Sequence, residues 1–315
     1  MVQGDDLEVV RVAAVVVTYN RLEKLKRVLS SIESQSLAPE LLLVVDNAST
    51  DGTTAYLAER EFALAHDVVT LSSNTGGAGG FAEGMLRGYQ AGADFVWIMD
   101  DDCYPEPSAL ETLVAGFDAA VEELGGDVPF ACSVVQFTDG SICEMNNPVP
   151  TWDWGRLLVK NQKSVMVTTC SFVSVLVPRW VIADYGLPYR DYFLWFDDRE
   201  YTLRLTARCP GVQVLDSVVI HDMADNKGVN FGMVTKDSLW KFKYGVRNEA
   251  SYLLHHRGFV YYAEFVARLM VSLRRGKVPW GIRLSLLKQA IKGIGFNPRI
   301  EYPGDQTVIA SAPTG

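Results

Sequence analysis

The chain has 315 residues, 48% of them apolar and 21% charged, a globular composition with room for one large α/β domain plus an appendage, or two modest domains. Five scattered cysteines (Cys103, Cys132, Cys143, Cys170, Cys209) with no CxxC spacing argue against a zinc site or a disulfide framework and for a reducing compartment. The net charge of −9 hides an asymmetry: Arg268 to Arg299 carries eight basic and no acidic residues, which leaves 21 basic against 38 acidic elsewhere, or −17. That split predicts a catalytic body with a basic segment facing a polyanion or an anionic membrane, and a body of −17 would repel nucleic acid. Met1 to Val10 is polar and acidic, unlike a signal peptide, and no apolar run reaches the ~18–20 residues of a membrane span.

Val12 to Thr18 reads as a buried strand, after which Asn20 is expected to cap a helix with apolar positions Leu22, Leu25, Val28, Leu29 and Ile32. A second strand, Leu41 to Val45, ends in the polar turn Asp46 to Gly52, and a helix is expected from Thr53 to about Leu64. Val68 to Leu71 is a short strand; Asn74-Thr75-Gly76-Gly77-Ala78-Gly79-Gly80 then leads into a helix from about Phe81 to Ala91. The strand Phe95 to Met99 runs into Asp100-Asp101-Asp102. This alternation predicts a mostly parallel sheet flanked by helices, with the ligand site beyond the carboxyl ends of its strands. From Pro129 to Thr206 the pattern is irregular, with Arg199 to Ala207 reading as a helix; Val212 to His221 is a strand, Ser238 to His255 and Tyr261 to Leu273 are helices, and a disordered tail is expected from Asp305 on.

Three carboxylates at a strand end cannot be buried uncompensated, because each unpaired charge costs several kcal/mol. Alternation along an extended backbone points Asp100 and Asp102 to one side, where they can share a hard divalent cation such as Mg²⁺ or Mn²⁺, which keeps its other positions for water and phosphate. With such a cation, His221 at the end of its strand becomes a further candidate ligand; otherwise it is a structural histidine. Asp46-Asn47 has two readings, acceptors for a nucleobase or ribose or an Asx-turn onto their own backbone. The glycine loop permits close approach to a ligand, or serves as a tight strand-to-helix turn. Asp197-Asp198 follows the aromatic residues Tyr192, Phe193, Trp195 and Phe196, whose apolar surround would raise a carboxylate's pKa and suit it to general-base work. The plainer alternative has Asp197 capping the next helix and Glu200 completing a capping box. Arg247-Asn248, beside Trp240, Phe242 and Tyr244, is accounted for by core packing and a surface ion pair.

Taken together, Val15 to Arg21 (VVVTYNR), Val44 to Thr53 (VVDNASTDGT) and Asp100 to Asp102 resemble the family 2 inverting glycosyltransferases with the GT-A fold. Asn74 to Phe81 (NTGGAGGF), Phe196 to Tyr201 (FDDREY) and Ile220-His221 look most like the actinobacterial cell-wall galactofuranosyltransferases, over roughly Val12 to His255. The resemblance implies a GT-A-type Rossmann-like domain over residues 1–225 and a C-terminal helical region over 226–315. It implies that Thr18, Arg21, Asp46 and Asn47 hold the uridine of a UDP-sugar, with Asn74 and Gly77 near ribose and diphosphate. Asp100, Asp102 and His221 would hold Mn²⁺ or Mg²⁺, Asp101 would face the donor sugar, Asp198 would be the general base and Asp197 would orient acceptor or base. The implied reaction moves galactofuranose from UDP-galactofuranose to a polyprenyl-linked or other glycan, with dTDP-rhamnose as the alternative donor. Phe196 departs from the tryptophan usual in the family and bears on acceptor stacking; the absence of long extensions favours an initiating or single-linkage enzyme over the large polymerising relatives. A sugar nucleotidyltransferase would carry a glycine- and basic-rich loop after the first strand, where this chain has Thr18-Tyr19-Asn20-Arg21; a non-catalytic nucleotide-sugar binder would leave Asp198 and His221 idle. Trp280, Leu284, Leu287, Ile291 and Ile294 form one helical stripe flanked by Arg283, Lys288 and Lys292, which predicts a helix lying on an anionic membrane surface and a cytoplasmic enzyme peripheral on the inner face of the cell membrane; the alternative is a stripe packed on the catalytic domain with its charges merely solvated.

Overall fold

The computed structural model describes residues 10–305. The expected tail beyond Asp305 and nearly all of the polar amino-terminal segment lie outside the described residues. The first half of the chain alternates as expected: β1 (Val12–Thr18), α1 (Leu22–Glu33), β2 (Leu41–Asp46), α2 (Thr53–Glu59), β3 (His66–Thr70), α3 (Gly76–Gln90) and β4 (Phe95–Asp100). Then come β5 (Cys103–Pro105), α4 (Ala109–Leu124), β6 (Ala131–Phe137), β7 (Val149–Pro150), β8 (Ser164–Thr169), β9 (Val175–Pro178), α5 (Arg179–Tyr185), α6 (Asp197–Leu205) and β10 (Gly211–His221). Three helices follow: α7 (Leu239–Tyr252), prolonged by a π-helical turn over Leu253–Arg257, α8 (Phe259–Arg275) and α9 (Trp280–Gly295).

One sheet has the order β3-β2-β1-β4-β9-β6-β10-β8-β7, with β5 pairing to β10. The parallel pairing predicted by the alternation holds across β3, β2, β1 and β4 and recurs between β6 and β10. The remaining pairings are antiparallel, so the sheet is parallel on one side and mixed on the other. The chain steps outward from β1 to β2 on one side and returns to pair β4 on the other. That reversal opens a crevice at the carboxyl ends of β1 and β4, where Val17 stands opposite Asp100 and Thr18 opposite Asp46.

Period-2 alternation divides β1 between two cores. Val12, Ala14 and Val16 pack with Leu25, Val28, Leu29 and Ile32 of α1 and Leu113 and Phe117 of α4, whereas Ala13, Val15 and Val17 pack with Phe81, Ala82 and Met85 of α3. Each fully buried aliphatic side chain contributes ~1.5–3 kcal/mol relative to exposure. A third cluster, separate from the sheet, joins Phe242 and Val246 of α7, Phe265 and Leu269 of α8, and Ile282 and Leu286 of α9.

Four local expectations are corrected. Asn20 does not cap α1: it sits at φ 53, its Oδ1 accepts from Thr50 N–H, and Leu22 N–H is received by Asp51 of the next strand's loop. α2 stops at Glu59 because Arg60 turns extended and reaches Glu33 of α1 with paired 2.7 and 2.8 Å hydrogen bonds. α3 begins at Gly76, so the glycines form its first turn; Gly76 has φ +73, and a Cβ there would fall on the Phe193 carbonyl. α6 begins at Asp197, with Phe196 in the cap position, and the Glu200 carboxylate goes to Arg204 (3.0 and 3.1 Å), so there is no capping box. All five cysteines are free thiols. Among the described residues no helix is long and apolar enough to cross a membrane.

Candidate active site

The three aspartates diverge at the end of β4. Asp101 and Asp102 are each 4% exposed. Asp101 accepts from Thr18 Oγ1 (2.8 Å), Tyr19 N–H (3.3 Å) and Arg21 Nη1 (3.2 Å), so Thr18 and Asp101 are locked across the crevice. Asp102 Oδ2 receives the same Arg21 nitrogen at 2.5 Å and Lys24 Nζ at 3.5 Å. Arg21, expected on the nucleotide, therefore bridges two aspartates. Lys24 lies three residues on, in the first turn of α1, and also reaches Asp102; spacing from Arg21 alone carried that signal. Asp100 is the outlier: among the described residues no side chain hydrogen-bonds to its carboxylate. Burial, then Asp102 and Asp101, push its pKa well above the usual range, and Asp197 adds to this, which brings the second acidic cluster within electrostatic reach of the first. Burial lifts Asp101 to about 6 despite Arg21. Burial also acts upward on Asp102, but the His221 hydrogen bond and Arg21 outweigh it and hold its pKa below the ordinary value.

His221 Nε2 lies 3.1 Å from Asp102 Oδ1, and its Nδ1 lies 2.8 Å from Asn146 Oδ1. The Asn146 amide donates to Ser171 Oγ (2.7 Å), which leaves its oxygen to face the ring and makes Nδ1 the protonated nitrogen. Nε2 faces the Asp102 carboxylate: with a proton it donates the hydrogen bond that lowers the Asp102 pKa, and without one its lone pair and the carboxylate oxygen can share a cation. Asp102, Cys103 and His221 offer ligand atoms within 4.8 Å of one another. The Cys103 thiol is fully buried and its pKa is pushed well up by burial, so it stays protonated and is a poor ligand for a hard ion. An Asp102 oxygen with an oriented imidazole suits Mn²⁺ or Mg²⁺, whereas the Asp100 carboxylate, expected to share the ion, is not among the ligand atoms that converge there. Asn146 went unnoticed in the sequence because it lies in the irregular stretch before β7, with no periodicity to place it.

The residues expected around the nucleotide are engaged with one another. Asp46, fully buried, accepts from Ser49 N–H (2.9 Å) and Thr54 Oγ1 (2.5 Å), which is the Asx-turn alternative. Asn47 donates to Gly76 O (2.7 Å) and accepts from Thr75 N–H (2.7 Å) and Thr75 Oγ1 (3.1 Å), tying the end of β2 to the glycine turn. Asn74 Oδ1 accepts from Gly76 N–H at 2.7 Å. A Cβ on Gly77 would meet only Phe81, at an ordinary 3.8 Å. Thus the structure brings Thr18, Asp46, Asn47, Asn74 and Gly77 to one edge, as walls and ties of the crevice.

Asp197 and Asp198 occupy the first turn of α6, where the helix dipole favours anions. Burial pushes both pKa values up, Asp197 to about 8 and Asp198 to about 6, with Asp198 raising Asp197 further. Asp197 is 7% exposed, and Asp198 is the more open of the two, its Oδ1 held by Arg199 N–H at 2.6 Å. A half-open carboxylate titrating near neutrality can accept a proton from a hydroxyl brought against it.

A family model for glycosyl transferase family 2 matches residues 13–138. A stretch of 128 residues, 39% of this chain, is 38% identical to the galactofuranosyltransferase GlfT1 of Mycolicibacterium smegmatis and covers 40% of it. Another of 109 residues, 33% of this chain, is 40% identical to GlfT1 of Mycobacterium tuberculosis H37Rv and covers 34% of that protein. The matched stretch thus spans well under half the length of these curated relatives. Among solved structures, the chain is similar to S. aureus TarS 1-349 in complex with UDP-GlcNAc (TM-score 0.58, 17% identity, 90% of this chain and 81% of that one). It is similar also to GalNAc-T7 with UDP, GalNAc and Mn²⁺ (TM-score 0.58, 14% identity, 94% of this chain and 56% of that one). The crevice at the ends of β1, β2 and β4 lies within the matched stretch, whereas Asp197, Asp198 and His221 lie beyond it. Residues 13–138 therefore match glycosyl transferase family 2, in a chain whose fold is similar to those of TarS 1-349 and GalNAc-T7.

Proposed function

We propose that this chain is an inverting, metal-dependent glycosyltransferase that moves a galactofuranosyl residue from UDP-galactofuranose to a polyprenyl-linked glycan at the inner face of the cell membrane. The observation that carries this reading is the convergence of Thr18, Arg21, Asp101, Asp102 and His221 at the carboxyl ends of β1 and β4, with Asp197 and Asp198 on the first turn of α6 as candidate bases. In this reading Asp100, Asp102 and His221 hold Mn²⁺ or Mg²⁺, which when bound neutralises charge on the departing diphosphate. Thr18, Arg21 and Asp101 form one wall of the nucleotide crevice. Asn47 holds in place the turn that offers Asn74 and Gly77 to ribose and diphosphate, and Asp46 holds the Ser49–Thr54 loop beside it. Asp198 takes the proton from the acceptor hydroxyl as its oxygen attacks the anomeric carbon from the face opposite the diphosphate. A single displacement inverts that carbon and needs no enzyme nucleophile. Asp197, whose higher pKa keeps it protonated over more of the range, orients the acceptor or the base.

Residues 1–225 would form the catalytic domain and 226–315 a helical region that meets the membrane. Four of the five stripe residues of α9 support this: Trp280, Leu284, Ile291 and Ile294 lie exposed, while Leu287, expected with them, is partly buried and packs against the cluster that holds Ile282, Leu286 and Ala290. Each basic residue near an anionic surface contributes ~1 kcal/mol to such binding.

The test is transfer from UDP-galactofuranose to a polyprenyl-linked glycan with Mn²⁺, the product's anomeric configuration read by NMR. Inverted product is expected. Transfer from dTDP-rhamnose with none from UDP-galactofuranose would replace the donor, and nucleotide binding with no transfer to any glycan would replace the enzyme with a binder.

A further inference from the structure

We propose that Asn248 is a positioning residue for the acceptor side of the site: it pins the strained aromatic turn Tyr192–Phe196 and so sets where Asp197 and Asp198 stand. The proposal rests on the assignment of Asp198 as base.

The turn is unusual in its backbone. Phe193 (φ 65), Trp195 (φ 65) and Phe196 (φ 72) are three non-glycine residues at left-handed φ within four positions. L-residues with aromatic side chains rarely hold such angles, and they persist only where the surroundings over-determine them. The over-determination comes from α7. Asn248 is fully buried, and its Nδ2 shares two N–H bonds among Tyr192 O (2.9 Å), Leu194 O (3.1 Å) and Trp195 O (2.8 Å). Its Oδ1 accepts from Arg247 Nε (3.0 Å) and Nη2 (2.8 Å). A flipped amide would set oxygen against three carbonyls and an NH₂ against a guanidinium, so only one orientation fits. Arg247 Nη2 also donates to Asp191 O (2.8 Å) and Tyr192 O (3.2 Å), and its guanidinium lies 3.8 Å over the Phe296 ring. The surface ion pair expected of Arg247 is replaced by backbone carbonyls. Behind it, Gly293 lets α9 press on Ala250 and the Arg247 carbonyl. On its other side the turn meets the donor edge, where Phe193 O accepts from Ala78 N–H at 3.2 Å. The donor edge has its own tie, Asn47 to Thr75 and Gly76, which shares no atom with Asn248.

Asn248→Asp keeps the side chain's size but replaces both N–H donors with an oxygen facing three carbonyls. The turnover number for transfer is expected to fall ~10–100-fold, the scale of a misplacement of about 1 Å. UDP affinity, read by thermal shift, is expected to stay within about threefold, because Asn47 holds the donor turn independently. Arg247→Lys should show the same split, smaller. Asp198→Asn and the double variant Asp198→Asn/Asn248→Asp are measured alongside. If Asn248 acts through Asp198, the double variant is no slower than Asp198→Asn alone. Wild-type turnover in both Asn248→Asp and Arg247→Lys, a parallel loss of UDP binding, or a further multiplicative loss in the double variant would each overturn the proposal. Wild-type turnover in Asp198→Asn would instead overturn the base assignment beneath it.

Discussion

Across β3, β2, β1 and β4 every pairing is parallel, and the polar loops follow directly from strand ends and are each shaped by short-range bonds of their own, such as Asp46 to Ser49 and Asn74 to Gly76. Across β9, β6, β10, β8 and β7 all pairings but one are antiparallel, and the chemistry-bearing residues are placed by partners far away in sequence: His221 by Asn146, and the turn before Asp197 by Asn248. The edge proposed for the donor thus adds ties between neighbouring strand ends, Thr18 to Asp101 and Asn47 to Gly76, to turns that hold their own shape, whereas the edge proposed for the acceptor depends on pins from outside its strands. A self-shaped turn tolerates loss of one distant tie; the aromatic turn does not, because its left-handed residues have no local reason to stay where they are.

The division is most exposed to failure at the ion site, which both sides share. Asp102→Ala or His221→Ala should abolish transfer, by on the order of 10³-fold, since the leaving diphosphate loses several kcal/mol of charge stabilisation. Undiminished transfer in excess EDTA would remove the ion from the account.

Next in size is the acceptor side alone. Asp198→Asn should lower turnover by ~10²-fold or more with UDP binding intact. The base works ionised, and its raised pKa means the ionised fraction grows as pH climbs through about 6. The kcat/KM profile should therefore rise between pH 5 and 7, losing roughly tenfold per unit below the pKa, and that limb should vanish in Asp198→Asn. If Asp197→Asn is inactive and Asp198→Asn near normal, the two roles are exchanged.

Asn47→Ala sharpens the comparison from the donor side. It removes three hydrogen bonds to the turn at Thr75 and Gly76 and should raise the donor KM by about tenfold with little change in kcat, at ~1 kcal/mol or somewhat more for the ties lost. An equal fall in kcat would mean that the donor turn also steers the acceptor side.

The smallest effect on transfer itself, none, is expected outside both sides. Reversing Arg283, Lys288 and Lys292 to Glu should release the protein from anionic vesicles in low-salt sedimentation, by ~1 kcal/mol or more per residue, and leave transfer to a water-soluble acceptor unchanged. Equal, negligible binding of the parent protein to anionic and neutral vesicles would end the membrane proposal.

How much of this was legible in the sequence follows the same line. β1, α1, β2 and β4 were readable because apolar period and burial coincide there, and the aspartates announced a compensated strand end. Asn20 was misread as a cap because its replacement, Asp51, comes from another loop, which helix rules applied to one segment do not see. Asp46-Asn47 was readable as chemistry or as turn, and only coordinates show both residues bonded within the protein. The glycine turn was placed before α3 rather than inside it, since glycine's poor helix propensity is outweighed by packing. Asn146 was out of reach, and Asn248, read as core packing and indeed fully buried, could not be given its bonds, because a buried amide's partners are carbonyls and hydroxyls that any sequence would offer.

The last three glycines of α3's inner face give that helix a different kind of importance. Added Cβ atoms on Gly80, Gly84 and Gly88 would collide with Val17, Val15 and Val96 respectively. Nothing wider than hydrogen separates helix from sheet along this line, and Gly84 lies eight residues, about 12 Å, from the turn at Gly76. A methyl group there would act as a wedge under a rigid lever, tilting the far end of the helix away from Asn47. The tolerance of the nucleotide crevice to mutation is therefore set partly at positions that no ligand reaches.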